Sequence, residues 1–219
     1  ALIPDAMTPH EMAVLTNIAF MESVYARSYS VALATFCNPI EINEAFRWSQ
    51  EYELLQAKTA LIVDEYDRHS TPLRRKIASV FQKSFLSCSG YYLPMHWASR
   101  NRLINTAGLI QLIIRDEALH SCYIGHKFQR ELEALDGTAR AGIKDFAFSL
   151  MLELYEIEEQ DAKSLYDGVG LTEDVRHFVR YNANGALLHL GYEALFPEAI
   201  CRIKPSIVAP LSPDRHRGR

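Results

Sequence analysis

The chain is short of the residues that make turns and of the patterns that make strands. Only 10 of its 219 residues are glycine, below the average share of about 7%, which favours long helices over a turn-rich β fold. No stretch sustains the alternation of apolar and polar residues that marks a half-buried strand. The four cysteines, Cys37, Cys88, Cys122 and Cys201, are widely spaced and form no CxxC. They are expected to be reduced thiols of a cytoplasmic protein. No apolar run reaches the roughly 18 residues of a membrane-spanning helix, and the start carries no signal-peptide pattern. With 23 basic and 27 acidic residues the net charge is −4, so a basic excess is missing too. Neither nucleic acid nor an anionic membrane is an expected partner.

What is present is a core. Hydrophobic residues make up 48% and charged residues 23%, the balance of a globular domain. Thr8-Pro9-His10-Glu11 is a capping box with proline at the first helical position. It predicts a helix to about Phe36. Asn38-Pro39-Ile40-Glu41 repeats the signal for a second helix, to about Tyr66 with a break near Trp48. Thr71-Pro72 opens a third, to Tyr92, which Pro94 should end or kink. Asn105-Thr106 caps a fourth, Ala107 to Leu135. Gly137-Thr138 starts a fifth, ending at Gly168, and Thr172 caps a sixth running toward Leu195. The expectation is an all-α bundle over 1–200. From 201 to 219 it is a disordered basic tail, with Pro205, Pro210 and Pro213 before Asp214 and Arg219. The first residue is Ala1, consistent with methionine removal or with a missing N-terminal part.

Within the fourth helix, Ile113–His120 (IIRDEALH) sets Asp116, Glu117 and His120 in an apolar run. Glu117 and His120 are three apart and project from one side of a helix. A carboxylate and an imidazole so placed can grip a metal ion, or form a structural polar pair. On the first helix Glu22, Tyr25 and Tyr29 share one face, with a tyrosine where a second Glu-x-x-His pair would need histidine. The middle of the third helix offers Lys83 and no acid. Residues 143–166 offer only a generic acidic face. Tyr25 reads as a core aromatic and Tyr29 as a buried, hydrogen-bonded tyrosine. Lys83 reads either as an ion-paired ammonium or as a side chain reaching solvent. His10, His69, His96, His126, His177 and His189 read as structural or surface polar residues.

Several longer words carry a resemblance: FMESVYARSYS at 20–30, FRWS at 46–49, SGYYLPMHW at 89–97, NTAGLIQLIIRDEALH at 105–120, GLTEDV at 170–175 and RYNANGALLHLGYEALFP at 180–197. Together they resemble the class Ib ribonucleotide reductase small subunit, over nearly the whole chain to about Phe196. The resemblance implies a ferritin-like helical homodimer with a dimanganese or diiron site beside a radical-bearing tyrosine. The radical passes to a separate large subunit, which reduces ribonucleoside diphosphates. It places Glu22, Glu117 and His120 at metal-ligand positions, Tyr29 at the radical position, and Asp116 in the radical-transfer route. It also marks departures. Tyr25 stands where the family has a histidine ligand and Lys83 where it has a glutamate ligand. The remaining aspartate ligand lies on a helix that would precede Ala1, so the bundle reads as N-terminally truncated. The family's acidic C-terminal docking tail is not recognisable in the basic ending.

Three readings follow: a small subunit of impaired activity, an inactive pseudoenzyme paired with an intact paralogous small subunit, and a metal-independent radical subunit with Lys83 in a ligand's place. In the last, Lys83 sits between Glu22 and Glu117, and a protonated His120 completes neutrality. Manganese or iron is the cofactor in the first reading, and no metal in the last. If the first helix lacks the helix it would pack against, it should show an exposed apolar face.

Overall fold

The computed structural model describes residues 2–67, 69–86 and 88–208. Among these residues there is no strand. The helices are α1 (Pro9–Phe36), α2 (Pro39–Glu51), α3 (Glu53–Glu65), α4 (Pro72–Phe81), α5 (Cys88–Ala98), α6 (Ile104–Leu132), α7 (Gly137–Tyr166), α8 (Thr172–His189) and α9 (Pro205–Val208). A π-helical segment, Gln82–Leu86, follows α4. The all-α expectation holds.

Helix starts follow local chemistry. The Thr8 hydroxyl accepts from the Glu11 amide, and the Glu11 carboxylate accepts from the Met7 amide at 3.1 Å. Asn38 and Glu41 form a complete capping box ahead of α2, and the Asp136 side chain accepts from the Ala139 amide at 2.8 Å. The break in the second predicted helix falls at Tyr52, whose extended backbone separates α2 from α3. The cap expected at Asn105-Thr106 is not used. Instead α6 begins at Ile104, behind Leu103 in the left-handed region at φ 51°. The sixth predicted helix ends earlier than expected, at His189. Gly191 takes φ 78°, and the Gly191 and Tyr192 amides bond back to Leu188 and Leu187. This is a Schellman ending, which satisfies the last carbonyls.

The third predicted helix differs most. It is not one α-helix to Tyr92 but α4, the π segment and α5. Pro94 lies inside α5 and does not end it. Its ring displaces the carbonyl four residues back, and that residue is Gly90, which has no side chain and open space around it. The π segment continues α4 and packs on α6 and α8, so its wider turn is held by two neighbouring helices.

The core runs along α4, the π segment and α6, closed by α5, α7 and α8. Phe81, Phe85, Tyr92, Met95, Ile124, Phe128, Met151, Leu154 and Leu187 are fully buried in it. On α1 the residues facing inward are Glu11, Leu15, Ile18 and Tyr25, spaced four, three and seven apart. They form one narrow stripe. Outside it α1 exposes Phe20, Val31 and Phe36, the apolar face expected from the sequence. A groove of about 870 Å³ lies there, lined by Val24, Val31, Phe36, Ile104 and Leu109 among others.

Two expectations are corrected. The acidic face of residues 143–166 is not generic: Glu158 and Asp161 are buried. Lys58 of α3 donates to both, to Asp161 at 2.7 Å, and the Tyr52 hydroxyl donates to Asp161 at 2.9 Å. A period count on α7 alone could not show this, because the cation comes from a distant helix. The tail is also not loose from residue 201. Cys201 and Ile207 are buried, and Lys204 pairs with Asp174. The basic-tail expectation for 209–219 lies outside the described residues.

Candidate functional site

The long helices α1 and α6 and the π segment converge on one group of side chains. From α1 come Glu22, Tyr25 and Tyr29, each one turn further along. From α6 come Asp116, Glu117 and His120. The π segment contributes Lys83. A π turn holds more residues than an α turn, so it re-aims the side chains it carries, and such turns recur at functional sites. Here it directs Lys83 inward, to 10% side-chain exposure. Of the two sequence readings of Lys83, the one that sends it to solvent is therefore overturned.

The Lys83 ammonium donates to Glu22 Oε1 and, at 3.2 Å, to Glu117 Oε2. Glu22 is half exposed at the rim and Glu117 is buried. Burial by itself would raise the Glu117 carboxyl's pKa, but His120 and Lys83 outweigh it and hold the pKa below the usual carboxylate range. His120 Nδ1 lies 3.7 Å from Glu117 Oε1, beyond hydrogen-bond length. Both atoms are buried without a hydrogen-bond partner among the described residues.

Tyr25 is buried, as its core reading requires. Its hydroxyl donates to Asp116 Oδ2 at 3.0 Å. Burial, then the hydrogen bond and charge of Asp116, push its pKa well above the ordinary phenol value. Tyr29 is partly buried, beside Tyr91 in the same cavity; burial again dominates and raises its pKa. A cavity of about 230 Å³ touches Glu22, Tyr25, Tyr29, Lys83, Tyr91 and Glu117.

Some partners escaped the sequence reading. Ser84 and Ser121 follow Lys83 and His120 directly in the chain. Their hydroxyls meet at 2.5 Å, and both lie within hydrogen-bond reach of His189 Nδ1, at 3.1 and 2.9 Å. Burial lowers the His189 pKa. The only signal was adjacency to two site residues. Gly125 lets the end of α8 come close enough for this: a Cβ there would sit 2.2 Å from the His189 carbonyl oxygen.

The donor set can be tested against a metal pair. Glu22, Glu117 and His120 offer donor atoms within 4.8 Å of one another. Two divalent ions bring four positive charges, and carboxylate-bridged pairs in helical bundles draw on four carboxylates and two histidines. Here two carboxylates and one imidazole surround an ammonium, which has no lone pair to give while protonated. These residues do not fit two metal ions.

A bundle whose long helices aim a Glu-x-x-His pair at a glutamate on a facing helix is a ferritin-like carboxylate protein. The chain belongs to the ribonucleotide reductase small chain family, whose model matches residues 1–205. It is 58% identical to ribonucleoside-diphosphate reductase subunit beta of Mycobacterium leprae, over 98% of this chain and 66% of the relative. It is 50% identical to ribonucleoside-diphosphate reductase 2 subunit beta of Escherichia coli, over 98% of this chain and 67% of the relative. The chain thus spans about two thirds of the length of these curated relatives. Among solved structures it resembles the dimanganese(II)-NrdF of Streptococcus sanguinis, with TM-score 0.92 and 43% identity over 96% of this chain and 74% of that one. A class I ribonucleotide reductase homologue from Bacillus halodurans shares the fold at TM-score 0.86 and 22% identity, covering 95% of this chain and 78% of its own.

Proposed function

We propose that this chain is a small-subunit protein of ribonucleoside-diphosphate reduction whose centre is closed by an internal cation instead of a metal pair. The observation that carries the reading is Lys83 held between Glu22 and Glu117. The ammonium meets both carboxylates, and the His120 imidazole lies beside Glu117 at 3.7 Å, so the partly buried acids are paired as such a group requires. Tyr29 takes the radical position and Asp116 opens the transfer route. A large catalytic subunit binds the substrate, and a second copy or a paralogous small subunit covers the apolar face of α1. The four free thiols suit a reducing, cytoplasmic setting.

The test is metal analysis and electron paramagnetic resonance of protein supplied with manganese or iron. The reading expects far less than one metal ion per chain, and two per chain would overturn it. A tyrosyl signal without metal identifies a radical-carrying subunit. No signal in any preparation assigns the chain to a pseudoenzyme that acts through an intact paralogue.

A further inference from the structure

Tyr25 occupies a position at which the family resemblance expects a ligand, but its hydrogen bond points elsewhere. Its hydroxyl donates to Asp116 at 3.0 Å and makes no hydrogen bond to Lys83, which pairs with Glu22 and Glu117. A phenol can be oxidised inside a protein without creating a buried cation only if its proton leaves with the electron. That needs a base already in hydrogen-bond contact with the hydroxyl. Tyr25 has one in Asp116. The ring of Tyr25 also lies 6.4 Å from that of His120, so the phenol touches the ionic centre on one side and Asp116 through its hydroxyl.

We propose that Tyr25 is a redox-active tyrosine whose phenolic proton passes to Asp116 when an outer-sphere one-electron oxidant removes an electron. The O–H bond of Tyr25 breaks, a new O–H bond forms at Asp116 Oδ2, and the electron reduces the oxidant. The products are a neutral phenoxyl radical and a neutral carboxylic acid. This deepens the reading above, on which the meaning of Tyr25 as a relay toward the transfer route rests. The redox property itself rests on the Tyr25–Asp116 geometry.

The experiment supplies its own oxidant, so neither metal loading nor the large subunit enters it. A failure here and a failure of the reading above are therefore distinguishable. The whole chain is irradiated with a ruthenium polypyridyl complex and a sacrificial electron acceptor, then frozen for electron paramagnetic resonance. A persistent tyrosyl signal is expected in the parent protein and in Tyr29→Phe, and in Tyr25→Phe a weaker one, reduced to what Tyr29 carries. Asp116→Asn keeps an oxygen that can accept the hydrogen bond but is no longer a base. It should form the radical about a hundredfold more slowly, the lower end of what a positioned proton acceptor contributes. A hydrogen bond with a purely structural role would leave that rate unchanged. In the parent, double resonance should also detect an exchangeable proton hydrogen-bonded to the phenoxyl oxygen, a readout that needs no variant to fold. A Tyr25→Phe protein with the parent signal, an Asp116→Asn protein with the parent rate, or a parent radical without that exchangeable proton would overturn the proposal.

Discussion

Lys83 is the residue on which the centre turns, because it meets two carboxylates at once. Glu117 is buried, so removing Lys83 leaves its charge supported by His120 alone. Lys83→Met should destabilise the fold by about 3 kcal/mol, the lower end for breaking a buried pair since Glu22 is half exposed and can turn to water. Chemical denaturation at neutral pH measures this. The pH dependence has a definite sign. The Glu117 pKa is held below the usual carboxylate range, so the folded state binds its proton more weakly than the unfolded chain does. Its stabilising contribution is full above the unfolded pKa and is lost as pH falls through the lowered folded value. In Lys83→Met this acid-side loss should shrink, which an acid titration of the unfolding free energy would detect.

At the scale of elements, two junctions hold the bundle in register. The first joins α3 to α7 through Lys58, Glu158 and Asp161. Burial raises the Glu158 pKa, partly offset by Lys58. A carboxyl raised on folding contributes stability that is full below the unfolded pKa and is lost as pH rises through the folded value. Glu158→Gln should remove that alkaline-side decline and keep the shape, whereas Lys58→Met should cost about 3–5 kcal/mol by stranding two acids. Thermal melts across a pH series separate the two outcomes. The second junction is the close approach of α6 to the end of α8. Gly125→Ala would place a methyl 2.2 Å from the His189 carbonyl oxygen. A loss of about 3 kcal/mol is expected, at the upper end for overpacking because the atom it meets is backbone. The variant should also loosen the hydrogen bonds of His189 to Ser84 and Ser121, visible in the imidazole nitrogen resonances.

For the molecule as a whole, most of the architecture could be read from the chain. The capping residues Thr8 and Asn38 and the apolar spacing mark helices by local rules, so the fold class was legible. Glu22, Glu117 and His120 were legible as a group because each lies at helical spacing on a recognisable word. The aim of Lys83 was not, since it depends on a π turn held by two helices distant in the chain, α6 and α8. Nor was the Lys58 cluster, whose members are about 100 residues apart in the chain. Long-range pairing of this kind leaves no period in the sequence. The exposed Phe20, Val31 and Phe36 of α1 lead to a molecular-scale prediction. Val24, Val31 and Phe36 line one open groove, and exposed apolar surface of this kind favours association, so sedimentation velocity should find a concentration-dependent dimer. Val31→Lys should shift it toward monomer without lowering the melting temperature of the fold.

The π segment has a further consequence for how this centre could arise or revert. Each residue advances an α-helix by about 100°, so one residue more or less between α4 and α5 resets which side chain looks inward. Deleting a single residue from Gln82–Leu86 would let the turn rewind and swing the ammonium off its carboxylates, with no substitution at Lys83 itself. The identity of the central charge is therefore encoded twice, by the codon for lysine and by the phase of the helix that carries it.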